Sequence, residues 1–285
     1  MSNETNSRTS FGIMQGRLVP PEGGRFQSFP RERWRDEFPR AQAAGIEYIE
    51  WIVDAYGEDV NPVLSDAGLR EFDALKAQHG IATLGICADW FMDYPLLRST
   101  VAERVERECF LHWLLPVAKR IGARYIVLPF VDASRIETYA EKDALVEILT
   151  AAAPSAEENG VELHLETDLA PAEFAELLAR VPHPFVKANY DSGNSSGLGY
   201  VASEEFGAYG ERIGSIHIKD RLSKAAGGIK TMPLGKGSAD FDDVFACMKH
   251  IGYDRPITLQ VARGEDDDEV NWIREQLNFV KRYWT

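Results

Sequence analysis

At 285 residues, with 45% hydrophobic and 27% charged side chains, the chain has the composition of a soluble globular protein and is long enough to bury a sizeable core. Its net charge of −14 sets up a field that repels nucleic acid and anionic lipid, which argues against both as partners. No apolar run approaches the roughly 18 residues of a membrane span, no leader-like apolar region opens the chain, and Cys87, Cys109 and Cys247 form no CxxC pair, so a cytoplasmic location with reduced thiols is expected.

Residues 1–10, MSNETNSRTS, read as a disordered tail. From residue 11 to 285 no Pro/Gly/Ser-rich linker interrupts the pattern, so a single domain is expected. Candidate strands follow in order: FGIMQG (11–16), YIEWIV (48–53), ATLGIC (82–87), YIVLPF (125–130), VELHLE (161–166), FVKANYD (185–191), SIHIKD (215–220) and ITLQVA (257–262). Between them the apolar residues take helical spacing. Phe174, Leu177, Leu178 and Val181 follow Pro171; Phe241, Val244, Phe245 and Met248 follow a capping Asp240; Ile273, Leu277 and Val280 mark the last helix. Eight alternating βα units of this length predict an α/β fold, a single (β/α)8 TIM barrel. A doubly wound sheet fits less well, since no GxGxxG follows the first strand.

Alternate side chains of a barrel strand face the surrounding helices or the interior. In the last four strands the helix-facing set is apolar: Leu163 and Leu165, Val186 and Ala188, Ile216 and Ile218, Leu259 and Val261. The opposite parity delivers His164 and Glu166, then Lys187, Asn189 and Asp191, then Ser215, His217 and Lys219, then Thr258 and Gln260. A barrel interior is ordinarily filled by Val, Ile and Leu, so these polar groups need partners. An ordinary buried hydrogen-bond network is one answer. The sharper one is a divalent-metal site: Glu166, Asp191, His217 and Gln260 all fall near the C-terminal ends of their strands, and mixed nitrogen and oxygen donors suit Mn, Mg, Co or Zn. His164, deeper in its strand, is expected to be core or to orient a ligand rather than bind the ion.

The series HLET, NYDSGN, HIKD, PLGKGSADF and YDRPITLQ resembles the xylose isomerase-like barrel superfamily of sugar-phosphate isomerases and epimerases, which includes endonuclease IV. The resemblance runs from about Phe11 to the last helix. It implies that Glu166, Asp191 and His217 hold one divalent cation and that Gln260 stands where the family carries a fourth, glutamate, ligand. It also implies that Asn194 contacts a substrate hydroxyl, that Lys219 offsets developing negative charge, and that Asp220 supports the site from behind. Endonuclease IV itself fits poorly, having more histidine ligands and a basic DNA groove.

The glutamine changes the chemistry. An amide oxygen can ligate a hard cation, but an amide is no general base near neutral pH, so epimerisation by two metal-bound glutamates is disfavoured. Glu166 as sole base can still move a proton along one face of a metal-stabilised enediolate, and a metal-dependent sugar or sugar-phosphate isomerase is the expected function. Epimerisation through another acid, dehydration, or a non-catalytic metal- and sugar-binding barrel are the alternatives. Lys219, Arg221, Lys224, Lys230 and Lys236 form a basic run that suits an anionic sugar, with Arg17 and Arg263 as further anion contacts. Trp51 and Trp90 are candidates to pack on a sugar ring, and Asp54 and Asp89 to bind its hydroxyls. The acidic run 265–269 is assigned to the N-terminus of the last helix. A homo-oligomer is an open expectation.

Overall fold

A computed structural model describes residues 9–226, 230–264 and 268–284. Eight parallel strands close into a barrel: β1 (Phe11–Met14), β2 (Tyr48–Ile52), β3 (Gly85–Cys87), β4 (Tyr125–Phe130), β5 (Glu162–Thr167), β6 (Val186–Asp191), β7 (Ile213–Ile218) and β8 (Ile257–Leu259). Each pairs with its sequence neighbour, and β1 pairs with β8 through Phe11 and Ile257 to complete the ring. The expected (β/α)8 barrel is therefore present. A two-residue ribbon, Asp220–Arg221 against Thr231–Met232, decorates the loop after β7.

The strand ends differ from the sequence reading where the chain leaves the ladder to build the site. β3 keeps only Gly85–Cys87, with Ala82 joined to Tyr48 by an isolated bridge. β7 begins two residues early at Ile213 and releases Lys219 and Asp220 into the following loop. β8 stops at Leu259, although the Gln260 amide still donates to the Ile218 carbonyl at 3.0 Å. The tail is shorter than expected. Residues 1–8 lie outside the described residues, but the Ser10 carbonyl accepts from Ile257 N at 3.0 Å and Thr9 Oγ1 accepts from Trp284 Nε1 at 3.1 Å, which joins both to the barrel.

The predicted helices form where the stripes lie: Pro171–Arg180 with Pro171 in its first turn, Phe241–His250 capped by Asp240, and Glu269–Lys281. Of the acidic run, residues 265–267 lie outside the described residues, Asp268 caps the last helix, and Glu269 pairs with Arg40. Outward strand residues such as Ile49, Ile126, Leu163 and Ile216 are fully buried against the helices. Inside the barrel, large rings sit against glycines on the next strands. A Cβ at Gly12 would lie 2.2 Å from the Tyr48 ring and one at Gly85 2.3 Å from the Tyr125 ring, so only glycine fits at either position. Among the described residues no helix is long and apolar enough to cross a membrane.

Candidate metal centre and substrate pocket

The polar parity of β5 to β7 brings Glu166, Asp191 and His217 together at the C-terminal end of the barrel. One ligand atom from each lies within 4.8 Å of the others, and all three residues are buried. Asp191 and His217 are register partners on adjacent strands. Asp191 also caps the helix Ser192–Leu198: its Oδ1 accepts from Gly193 N and Asn194 N, both at 2.8 Å, which leaves Oδ2 for the site.

His217 decides what the cluster can hold. Its Nε2 donates to Glu50 Oε1 at 2.8 Å, and Glu50 Oε2 accepts from Tyr125 OH at 2.7 Å and Thr258 Oγ1 at 2.9 Å. Its Nδ1 is buried without a hydrogen-bond partner, 3.9 Å from Glu166 Oε2. Leaving such an atom unpaired costs about 1–3 kcal/mol. With Nε2 committed to Glu50, Nδ1 is the ring nitrogen left facing two carboxylates, and once deprotonated it completes a donor set that fits a divalent cation.

Electrostatics agree with that fit. Burial, then the neighbouring Asp191 charge, pushes the Glu166 carboxyl up to about 7. Burial alone would lower His217, but Glu50, followed by Glu166 and Asp191, drives it up to about 9. Negative charge is thus in excess at this point: it keeps a proton on the His217 imidazole, and a divalent cation would displace that proton and take over its role.

Gln260 is oriented differently from the three. Its Oε1 accepts from Lys219 Nζ at 3.1 Å and its Nε2 donates to Gln27 Oε1 at 2.9 Å. Lys219 Nζ also reaches Asn194 Oδ1 at 3.2 Å and Asp191 Oδ2 at 3.4 Å. The ammonium therefore stands between the amide and the carboxylate. Gly193 makes room for it, since a Cβ there would lie 2.5 Å from Lys219 Cγ. Asn194, expected at a substrate hydroxyl, uses Nδ2 to donate to Glu166 Oε1 and so ties the carboxylate to the lysine through one amide.

Above these residues opens a cavity of about 280 Å³, at the small end of ligand pockets and of monosaccharide scale. Glu166, Asn194, Lys219, Arg221 and Gln260 line one side, Arg25 to Gln27 another, and Asp54, Asp89, Asp93 and Asp132 the rest, with Met92, Pro129 and Val131. Of the expected basic run only Lys219 and Arg221 reach it. A larger groove of about 790 Å³, walled by Ser203–Arg212 and Ala246–Ile251, shares no residue with the metal cluster.

Several expected contacts lie elsewhere. Arg17 is buried and its three nitrogens bond Val261 O, Phe26 O and Gln27 Oε1, so it braces the loop rather than meeting an anion; burial, then Arg263, brings it down to about 9. Arg263 likewise bonds Val19 O and Phe26 O. Trp51 has outward parity and packs among Phe29, Trp34, Phe38 and Phe72, with its Nε1 donating to Asn61. Trp90 stacks on Phe110, ring centroids 4.0 Å apart, and is absent from the cavity wall. Asp220 accepts from the backbone amides of Gly235, Lys236, Gly237 and Ala239 and so pins the loop after β7. His164 is a core residue, held by Ser215 and Glu162.

Two residues outside the sequence-derived set matter here. Glu50 was legible as a lone carboxylate on the interior parity of β2. Gln27 had no signal, being in a loop, yet its amide joins Arg17, Gln260 and Asp89.

A family model described as a xylose isomerase-like TIM barrel matches residues 38–283. The chain belongs to this family. L-ribulose-5-phosphate 3-epimerase UlaE of Escherichia coli is 23% identical over 261 residues, 88% of this chain and 89% of its own. Among solved structures, the IOLI protein with a bound zinc atom has a TM-score of 0.77 at 17% identity, over 97% of this chain and 99% of that one. A xylose isomerase-like TIM barrel protein from Mycobacterium smegmatis in complex with magnesium has a TM-score of 0.73 at 19% identity, over 100% and 99%. The xylose isomerase-like barrel is thus shared over nearly the whole chain.

Proposed function

We propose that this barrel is a divalent-metal-dependent sugar or sugar-phosphate epimerase, moving a proton on and off the carbon beside a carbonyl. One observation carries the reading: the bare Nδ1 of His217 lies beside the Glu166 carboxylate at the wall of a sugar-sized cavity. Glu166, Asp191 and His217 would hold the cation. When bound, it supplies Lewis acidity that polarises the substrate carbonyl and makes the neighbouring C–H acidic.

The side chains then divide the work. Glu166 accepts the proton, its carboxylate aimed by Asn194. Glu50 keeps His217 in the tautomer whose Nδ1 faces the site. Lys219 offsets the negative charge that develops on the substrate oxygens. Gln260 is neither acid nor base, which from sequence alone favoured isomerisation on one face. The Lys219 ammonium, 3.1 Å from that amide and lining the same cavity as Glu166, is a second proton carrier, and this favours epimerisation. The epimerase relative supports the same choice. Arg25 and Arg221 on the cavity wall suit a phosphate ester.

A panel of ketoses and ketose phosphates, incubated with metal-replete protein in D2O and followed by NMR, tests the proposal. Deuterium at the carbon beside the carbonyl with inversion there is expected, and Glu166→Gln at saturating metal slows it by about 10²- to 10⁴-fold. Movement of the carbonyl instead means isomerisation. Absence of exchange across the panel overturns the proposal.

A further inference from the structure

The 21-residue helix Val101–Ile121 packs one face on the barrel and turns an unusual face outward. Centred on Cys109, the positions three, four and seven residues to either side are Glu106 and His112, Val105 and Trp113, and Ala102 and Pro116, and all seven are exposed. These offsets share one helix face. Five of the seven are apolar, Val105 at 56% and Trp113 at 44% exposure, in a chain of net charge −14.

We propose that this face is a twofold homodimer contact, packing antiparallel on the same face of a second copy with Cys109 at the axis. A twofold axis through Cys109 pairs each position with the one equally far on its other side. Val105 then meets Trp113 of the second copy, Ala102 meets Pro116, and Glu106 meets His112. The apolar positions are matched with apolar ones and the acidic residue with the imidazole. Among the described residues, neither the Glu106 nor the His112 side chain has a hydrogen-bond or ion-pair partner in its own chain. Antiparallel packing also opposes the two helix dipoles. A contact made by one helix per copy is small, so micromolar association is expected.

Sedimentation equilibrium from low to several hundred micromolar protein tests this. A reversible monomer–dimer equilibrium is expected, shifted at least tenfold toward monomer by Trp113→Glu or Val105→Glu. Both positions are exposed, so the melting temperature serves as the fold control. Glu106→Lys weakens the dimer, and adding His112→Glu restores it, which a merely sticky surface would not do. Diamide, accepting two electrons and two protons from a pair of Cys109 thiols, should leave a disulfide-linked dimer that Cys109→Ser abolishes and Cys247→Ser does not. A chain that stays monomeric throughout, or a dimer indifferent to both glutamate substitutions and not linked through Cys109, overturns the proposal.

Discussion

Two histidines of the barrel interior, His164 and His217, are both fully buried beside glutamates on adjacent polar layers, yet they are opposites. His164 has a partner at each ring nitrogen, Ser215 Oγ at 2.8 Å and Glu162 Oε2 at 2.9 Å, and stacks flat on Tyr125 at 4.6 Å. Its glutamate is tied in turn to Arg255. His217 has Glu50 at Nε2 and nothing at Nδ1. One layer closes its hydrogen bonds within the protein and plugs the barrel. The other leaves a ring nitrogen unmet next to two carboxylates. What separates a structural histidine from a candidate ligand here is the completeness of its partner set, since burial and residue type are the same.

The closed layer should fail through stability. His164→Ala removes a stacked, doubly bonded ring and is expected to cost about 3 kcal/mol in urea unfolding, while metal stoichiometry stays unchanged. The layer also carries a pH dependence. Burial holds His164 at about 4, below its ordinary 6.5, against the pull of Glu162. Between those values the unfolded chain binds the extra proton, so stability is full above about 6.5 and falls as the pH drops toward 4. Urea titrations across that range should show the decline in the wild type and a flatter profile in His164→Gln. An identical slope in both would remove the distinction.

The open layer should fail through binding instead. Glu50→Gln keeps the shape of the side chain but loses the charge that sets the His217 tautomer, and it is expected to weaken metal affinity by about 10- to 100-fold. Calorimetric titration of the metal-free variant reads this directly. Unchanged affinity would mean that Glu50 serves only the packing of Tyr125 and Thr258.

Much of this contrast was legible in the chain. The two-residue period of β5 to β7 carried Glu166, Asp191 and His217 to one side of the sheet, because the period of a strand survives folding unchanged. The same rule extended to β2 separates Glu50, inside, from Trp51, outside. What the period cannot report is which groups meet across the barrel. Glu50 and His217 are 167 residues apart, and Gln260 meets Lys219 rather than joining the triad directly. Arg17, Arg263 and Trp90 lie in loops or short helices, where no periodicity constrains direction, and the structure turns all three into the protein's own framework.

The central claim is that Glu166, Asp191 and His217 hold one divalent ion. Metal-stripped protein titrated calorimetrically with Mn²⁺ and Zn²⁺ tests it most directly. The account predicts one saturable ion per chain, lost in His217→Ala and Asp191→Ala and retained in His164→Gln. Equal binding by the wild type and His217→Ala, or no saturable binding at all, would contradict it.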